Sequence, residues 1–323
     1  STSSSGESSP RARARVAWLL KPLMALVLLW ARFEAAVLPV SWLYSMGRAS
    51  ARTLYLWAPS LRRALESNAL QLLPDASPLE RRRHGIRVLE GFSRFFVELL
   101  TAPDTYPSQE AFLARVEGLD FAKEAGARGR GVIGISLHMG NMELGPMLLD
   151  GLVEPMAVVY RKDPFGLVEA MRSRARLAHN VAEIDTGTQL FGVRVLEILR
   201  QGGFAFVAGD LGFPEASRGR VYPFLGGEAR FLVWPARLAL ASGAPILPCF
   251  VLRDPKGQYF ARIEPPLEPA GDVDELMGKL IAIYERYVRA YPDQWLILHP
   301  YWLEPTPGLG RTEALPVIAA GKR

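Results

Sequence analysis

From Gly118 onward the chain alternates short apolar runs with segments of helical spacing, and this alternation constrains the fold more than any other feature. Residues 132–137, 156–160, 181–184 and 204–208 read as strands. Residues 144–152, 164–178, 193–200, 234–242 and 272–290 read as helices. The strands are nearly unbroken apolar runs, as strands buried on both faces are. Strands joined through helices pair in parallel, because the crossover has to return to the same end of the sheet. Residues 246–252 and 259–263 flank the turn Asp254-Pro-Lys-Gly257 and predict one antiparallel pair. The expected fold is α/β, with a mostly parallel central sheet covered by helices on both faces.

In such sheets ligands gather at the carboxyl ends of the strands. The stretch Ile133-Gly-Ile-Ser-Leu-His-Met-Gly-Asn-Met-Glu-Leu-Gly145 puts His138 at one of those ends. Gly140 permits a sharp turn, and Asn141 can cap the helix that follows. Glu143, in the first helical turn, can reach back to one imidazole nitrogen and fix the tautomer. The other nitrogen then faces a hydroxyl. Ser136 points down a strand, and no serine or cysteine sits in a nucleophile's setting. The pair is therefore suited to activating an incoming hydroxyl rather than to forming an enzyme ester. An isolated His-x4-Glu also fits a strand-end histidine beside a carboxylate that merely favours a helix start.

Cys249 is the sole cysteine and lies in an apolar run, which predicts a buried structural thiol. Histidines at 84, 138, 179 and 299 have no zinc-ligand spacing, so no metal is expected. There is no internal repeat and no phosphate-cradling glycine signature. The net charge of +5 suits an anionic partner: a membrane surface, an acidic carrier protein, a phosphorylated substrate or nucleic acid.

The N-terminus divides into a Ser-rich, basic tail (1–15), expected to be disordered, and a hydrophobic stretch (16–45) interrupted by Lys21 and Arg32. That stretch is short for a span and lacks a small-x-small cleavage site, so a membrane anchor is expected, either one marginal span or an interfacial helix. A buried N-terminal helix is the alternative. Residues 46–117 read as a helical region. Residues 79–100 within it carry an apolar stripe through Val88, Leu89, Phe92, Phe95, Phe96 and Leu99, which suits a core face or a membrane-lying one. The α/β core is expected over 118–303 and a tail over 304–323.

Leu137-His-Met-Gly-Asn-Met-Glu143 resembles the H-x4-[DE] block of the bacterial lipid A late acyltransferases, with Met142 where an aromatic is typical. Tyr160-Arg-Lys-Asp-Pro164, Ala208-Gly-Asp210, Val221-Tyr-Pro-Phe-Leu-Gly226 and Tyr291-Pro-Asp-Gln-Trp-Leu-Ile-Leu-His-Pro-Tyr-Trp302 resemble further blocks in the family's order. The resemblance implies transfer of a fatty acyl chain from an acyl carrier protein or coenzyme A thioester to a hydroxyl of an anionic glycolipid such as a lipid A precursor. It implies no cofactor, no nucleic acid, and a location on the cytoplasmic face of a bacterial inner membrane. His138 would be the general base and Glu143 its orienter, with Gly140 and Asn141 shaping the turn and, like Arg161, Asp210, Arg218 and Arg230, expected among the substrate-binding residues. Arg161 is the candidate for the oxyanion or a donor phosphate, Asp210 for positioning Arg161 or the acceptor, and Arg218 and Arg230 for acceptor phosphates. Trp295 and Trp302 are expected to pack. An apolar acyl groove is expected between the 79–100 helix and the sheet edge. The other readings are the same chemistry on a phosphatidylinositol mannoside, lysophospholipid or aminolipid, and a non-catalytic lipid-binding protein.

Overall fold

The computed structural model describes residues 26, 29–102, 106–162, 166–210 and 219–303. The tail over 1–15, the start of the hydrophobic stretch, Arg218 and the segment after 303 lie outside the described residues. The strands are β1 (Val116–Glu117), β2 (Val132–Ser136), β3 (Met156–Tyr160), β4 (Val181–Asp185), β5 (Phe204–Ala208), β6 (Gly219–Phe224), β7 (Gly227–Leu232), β8 (Ile246–Arg253) and β9 (Tyr259–Ile263). Seven form one sheet in the order β1-β9-β8-β2-β5-β3-β4. All neighbours are parallel except β8 and β9, which pair as the hairpin the Asp254–Gly257 turn predicts.

Successive side chains on a strand point to opposite faces. On β2 and β5, Ile133, Ile135, Ala205 and Val207 pack on one face and Val132, Phe204 and Phe206 on the other. The first face is covered by α8 (Phe191–Arg200), α9 (Trp234–Ser242) and α10 (Val273–Ala290). Asp272 accepts from the amides of Asp274 and Glu275 and so starts α10. The second face lies under α4 (Gln109–Leu113), α5 (Leu119–Ala127) and α6 (Leu144–Leu148). The remaining helix of the core, α7 (Gly166–Ala178), connects β3 to β4.

The hairpin of β6 and β7 stands apart from the main sheet. The sequence reading leaves this segment as a loop, for two physical reasons. β6 is mostly solvent-facing, and Pro223 interrupts its apolar residues Val221, Tyr222 and Phe224. Its turn places Leu225 at φ 51° beside Gly226 at φ 81°. Two-residue hairpin turns of that shape favour asparagine or glycine first, and leucine gives no such signal.

The helical region contains α1 (Val40–Trp57), α2 (Pro59–Leu72) and α3 (Pro78–Thr101). α3 opens with Pro78 after a reciprocal cap between Ser77 and Glu80. Its stripe is core: Val88 and Leu89 meet Ala51 and Tyr55 of α1 and Leu65 of α2. α3 is tied to the sheet by polar contacts, His84 Nδ1 to Asp293 at 2.6 Å and Arg94 Nη2 to the Gly257 carbonyl at 2.8 Å. Residues 29–37 are helical ahead of α1. No helix among the described residues is long and apolar enough to cross a membrane. Instead of being buried, Leu29, Trp30, Phe33, Val37 and Trp42 all face solvent.

Candidate active site

The site follows from the register of two neighbouring strands. β2 and β5 are parallel, and their last rung pairs Ser136 with Ala208. His138 and Asp210 each stand two residues past that rung, so the chain delivers them side by side. Asp210 Oδ1 meets His138 Nδ1 at 2.6 Å, and Oδ2 accepts from the His138 amide at 2.9 Å and from Trp295 Nε1 at 2.8 Å. The carboxylate is fully buried. Burial pushes its pKa up, but the adjacent imidazole and the hydrogen bonds from His138 and Trp295 outweigh burial and hold it below the usual carboxylate range. An ionised carboxylate only accepts, so Nδ1 must carry a proton. The lone pair of the neutral ring is then on Nε2.

The sequence reading expects Glu143 to hold the imidazole and Asp210 to serve Arg161 or the acceptor. The structure differs: the hydrogen bond to Nδ1 comes from Asp210. Glu143 is instead gripped by Arg176, with Nε to Oε2 at 3.0 Å and Nη2 to Oε1 at 2.6 Å. Both side chains are buried, and Arg176 also reaches Glu183 at 3.1 Å and lies over the Tyr160 ring. Burial pushes the Glu143 carboxyl up, and Arg176, Arg172 and His138 together bring it below the usual value, so Glu143 is an anion. Its charge acts on the imidazole through space.

The turn between His138 and Glu143 is fixed by its backbone. Gly140 has φ 54°, and a Cβ there would lie 2.1 Å from the Val251 carbonyl oxygen. No other residue fits. The Gly140 amide donates to Gln294 O at 2.9 Å, and the Leu296 amide donates to His138 O at 2.7 Å. This strap brings Trp295 onto Asp210, so Trp295 positions the carboxylate as well as packing. Trp302 packs as expected, stacking on Phe224. Asn141 does not cap α6. It is fully buried and donates to Glu98 of α3 at 3.2 Å, where Tyr259 also bonds Glu98. The helix has no side-chain cap, and Glu143 occupies its N-cap position.

A cavity of about 180 Å³ runs from His138 along the second face of the sheet. Glu143, Tyr160, Arg161 and Trp234 line it near His138. Deeper walls come from Phe112, Ala122, Leu149, Phe204, Phe206 and Leu247. Phe204 pairs with Val132, six residues before His138, which puts the deep end about 20 Å along the strands. The cavity lies under α4, α5 and α6 rather than beside α3, whose apolar stripe packs on α1 and α2 through Val88 and Leu89 and on α7 through Phe96 and Leu99. Cys249 lines the apolar part, where burial pushes its thiol up to about 12. Such a thiol is a poor nucleophile.

The remaining candidates separate. Arg161 follows β3 and lines the cavity with His138. Arg230 donates to the Gly219 carbonyl within the hairpin and lines neither this cavity nor its neighbour, so the structure does not bring it to the site. Arg218 lies outside the described residues. Sequence reasoning missed Arg176 and Glu98, whose contacts to Glu143 and to Asn141 and Tyr259 join segments far apart in the chain.

The mostly parallel α/β fold thus sets a carboxylate-held imidazole on the wall of an apolar cavity. The sequence profile for bacterial lipid A biosynthesis acyltransferase matches residues 9–304, so the chain belongs to that family and is an O-acyltransferase. It is 24% identical to the lipid A biosynthesis lauroyltransferase of Escherichia coli K12 over 268 residues, covering 81% of this chain and 85% of that one. It is 25% identical to a phosphatidylinositol mannoside acyltransferase of Mycobacterium tuberculosis over 286 residues, covering 81% and 88%. A palmitoleoyltransferase of lipid A biosynthesis from Escherichia coli K12 is 28% identical over 187 residues, covering 57% and 60%.

Proposed function

We propose that this enzyme transfers a fatty acyl group from an acyl carrier protein or coenzyme A thioester to a hydroxyl of a glycolipid such as a lipid A precursor. The observation that carries the reading is the His138 imidazole, anchored on Asp210 through Nδ1 and lining an apolar cavity. The acyl chain lies in the cavity with its thioester carbonyl at His138. Nε2 takes the proton from the acceptor hydroxyl as its oxygen attacks that carbonyl. The tetrahedral oxyanion is stabilised by Arg161. Collapse breaks the C–S bond, and the thiolate receives the proton from the imidazolium. Asp210 and the Glu143 anion both stabilise the charged ring. The test is incubation of the purified full chain with an acyl thioester and candidate acceptors, read by mass spectrometry. A glycolipid gaining one acyl mass, with release of one thiol, is the expected result; thiol release to water alone overturns the reading. The mycobacterial relative makes phosphatidylinositol mannosides the second acceptor class to include.

The exposed apolar residues of the N-terminus are proposed to lie in a membrane interface, where the acceptor resides. Trp30, Phe33 and Trp42 each leave more than half of their surface open, at 62%, 57% and 63%. Aromatic side chains of this kind anchor in headgroup regions. Replacing all three by serine is expected to lower partitioning onto anionic lipid vesicles by at least about tenfold. Unchanged co-sedimentation would put the attachment elsewhere.

A further inference from the structure

A second cavity, of about 510 Å³, opens beside the first at the carboxyl end of β4. Its walls include the 186–189 loop, Arg220 of β6, and Trp234 and Arg237 of α9. Thr186, Leu232 and Trp234 line both cavities, so the two spaces share a wall.

Three observations give this space the character of an anion site. First, α8 and α9 both begin at it, through Gln189 and Phe191 and through Val233 and Trp234. Neither helix has a side chain capping its first amides, and neither has an acid in its first turn. An uncapped helix start leaves N–H donors and the positive end of the helix dipole to a ligand, with Pro235 removing one such donor from α9. Second, Thr186 Oγ1 and Trp234 Nε1, on the shared wall, are buried without a hydrogen-bond partner. Thr186 is 7% exposed. Buried polar atoms are almost always paired, so these two groups are available to hydrogen-bond a ligand. Third, two guanidinium groups stand on its wall: Arg220, which pairs with Asp274 at 2.7 Å, and Arg237, which makes no hydrogen bond to that acid and acts on it only through space.

We propose that this cavity holds a phosphate carried by one of the two co-substrates while the reacting group sits at His138. Thr186 and Trp234 donate to its oxygens, Arg237 pairs with its charge, and the two helix starts supply backbone N–H donors. The inference rests on the acyl-transfer reading, because only that reading supplies phosphate-bearing partners at this edge. Two sources share the chemistry: the phosphate of a pantetheine-type thioester donor and that of a phosphorylated glycolipid headgroup.

Calorimetric titration of inorganic phosphate and pyrophosphate into the full chain in detergent reads the site without any acyl transfer. Binding is expected, weakened roughly tenfold or more by Arg237→Glu. Thr186→Val should weaken it severalfold at unchanged melting temperature, because its hydroxyl makes no bond in the free protein. No binding, or binding that neither variant alters, overturns the proposal. In steady-state assays the same variants should raise one KM about tenfold with kcat within threefold of wild type. A raised donor KM identifies the thioester's phosphate, and a raised acceptor KM that of the headgroup. Phosphate binding with both KM values unchanged overturns the co-substrate assignment. Wild-type protein that binds phosphate through Arg237 yet acylates no glycolipid overturns the proposed function and leaves the anion site standing.

Discussion

Asp210→Asn is expected to lower kcat by about 10³–10⁴-fold with the fold intact. The direction of the amide is forced by the site. Oδ2 accepts from the His138 amide and from Trp295 Nε1, so the asparagine oxygen has to stay there. Its NH2 group then occupies the Oδ1 position and points a donor at Nδ1. The ring answers by moving its proton to Nε2, the nitrogen that has to take the acceptor's proton. His138→Ala should fall in the same range, and the double variant should be no slower than either single one, because the two residues act as a unit. Kinetics paired with circular dichroism checks this. An Asp210→Asn enzyme that keeps more than about a tenth of its turnover removes Asp210 from the base, since a lost tautomer costs far more.

Register explains why His138 was legible as a candidate in the sequence and its hydrogen-bond partner Asp210 was not. His138 ends an apolar run, and in a parallel sheet the strand's carboxyl end is where ligands gather. Its partner depends on β5 lying next to β2, and strand order is not written in the local pattern. A local reading prefers the acid five residues away over one seventy-two residues away. Gly140 bends the backbone so that Glu143 faces Arg176, a residue on the helix between β3 and β4. Asn141 looks like a helix cap by spacing, yet the same turn buries it against Glu98 of α3. Helices and strands were legible where apolar period and length agree, as in β3, β5, α9 and α10. The β6–β7 hairpin was hidden by its exposed strand and its leucine turn. The sequence did not locate the cavity because an amphipathic stripe does not say what covers it: α1, α2 and α7 pack on α3, and the cavity forms on the second face of the sheet.

Glu143→Gln should carry two separable effects. The carboxylate faces Arg176 with both oxygens in a buried setting, and removing one partner of such a pair leaves an uncompensated charge, at a cost of about 3 kcal/mol. Glu183, on the other side of the guanidinium, offsets part of this. The melting temperature should therefore drop. Turnover measured well below that temperature should fall roughly 10–100-fold, because the imidazolium loses a nearby anion in a low-dielectric site. A near-normal rate in the folded variant would leave Glu143 with a structural role only. Acidification adds a check with a fixed sign. Glu143 has a folded pKa below its unfolded value of about 4.3. Its contribution to stability is fully present above the unfolded pKa and is lost as pH falls through the folded one. Wild-type stability should thus decline on acidification through this range, and Glu143→Gln, having no carboxyl to titrate there, should decline less steeply. Asp210, depressed by its own contacts, keeps part of the slope in that variant. A variant with the full wild-type slope would mean that the Glu143–Arg176 pair adds nothing to the folded state's charge balance.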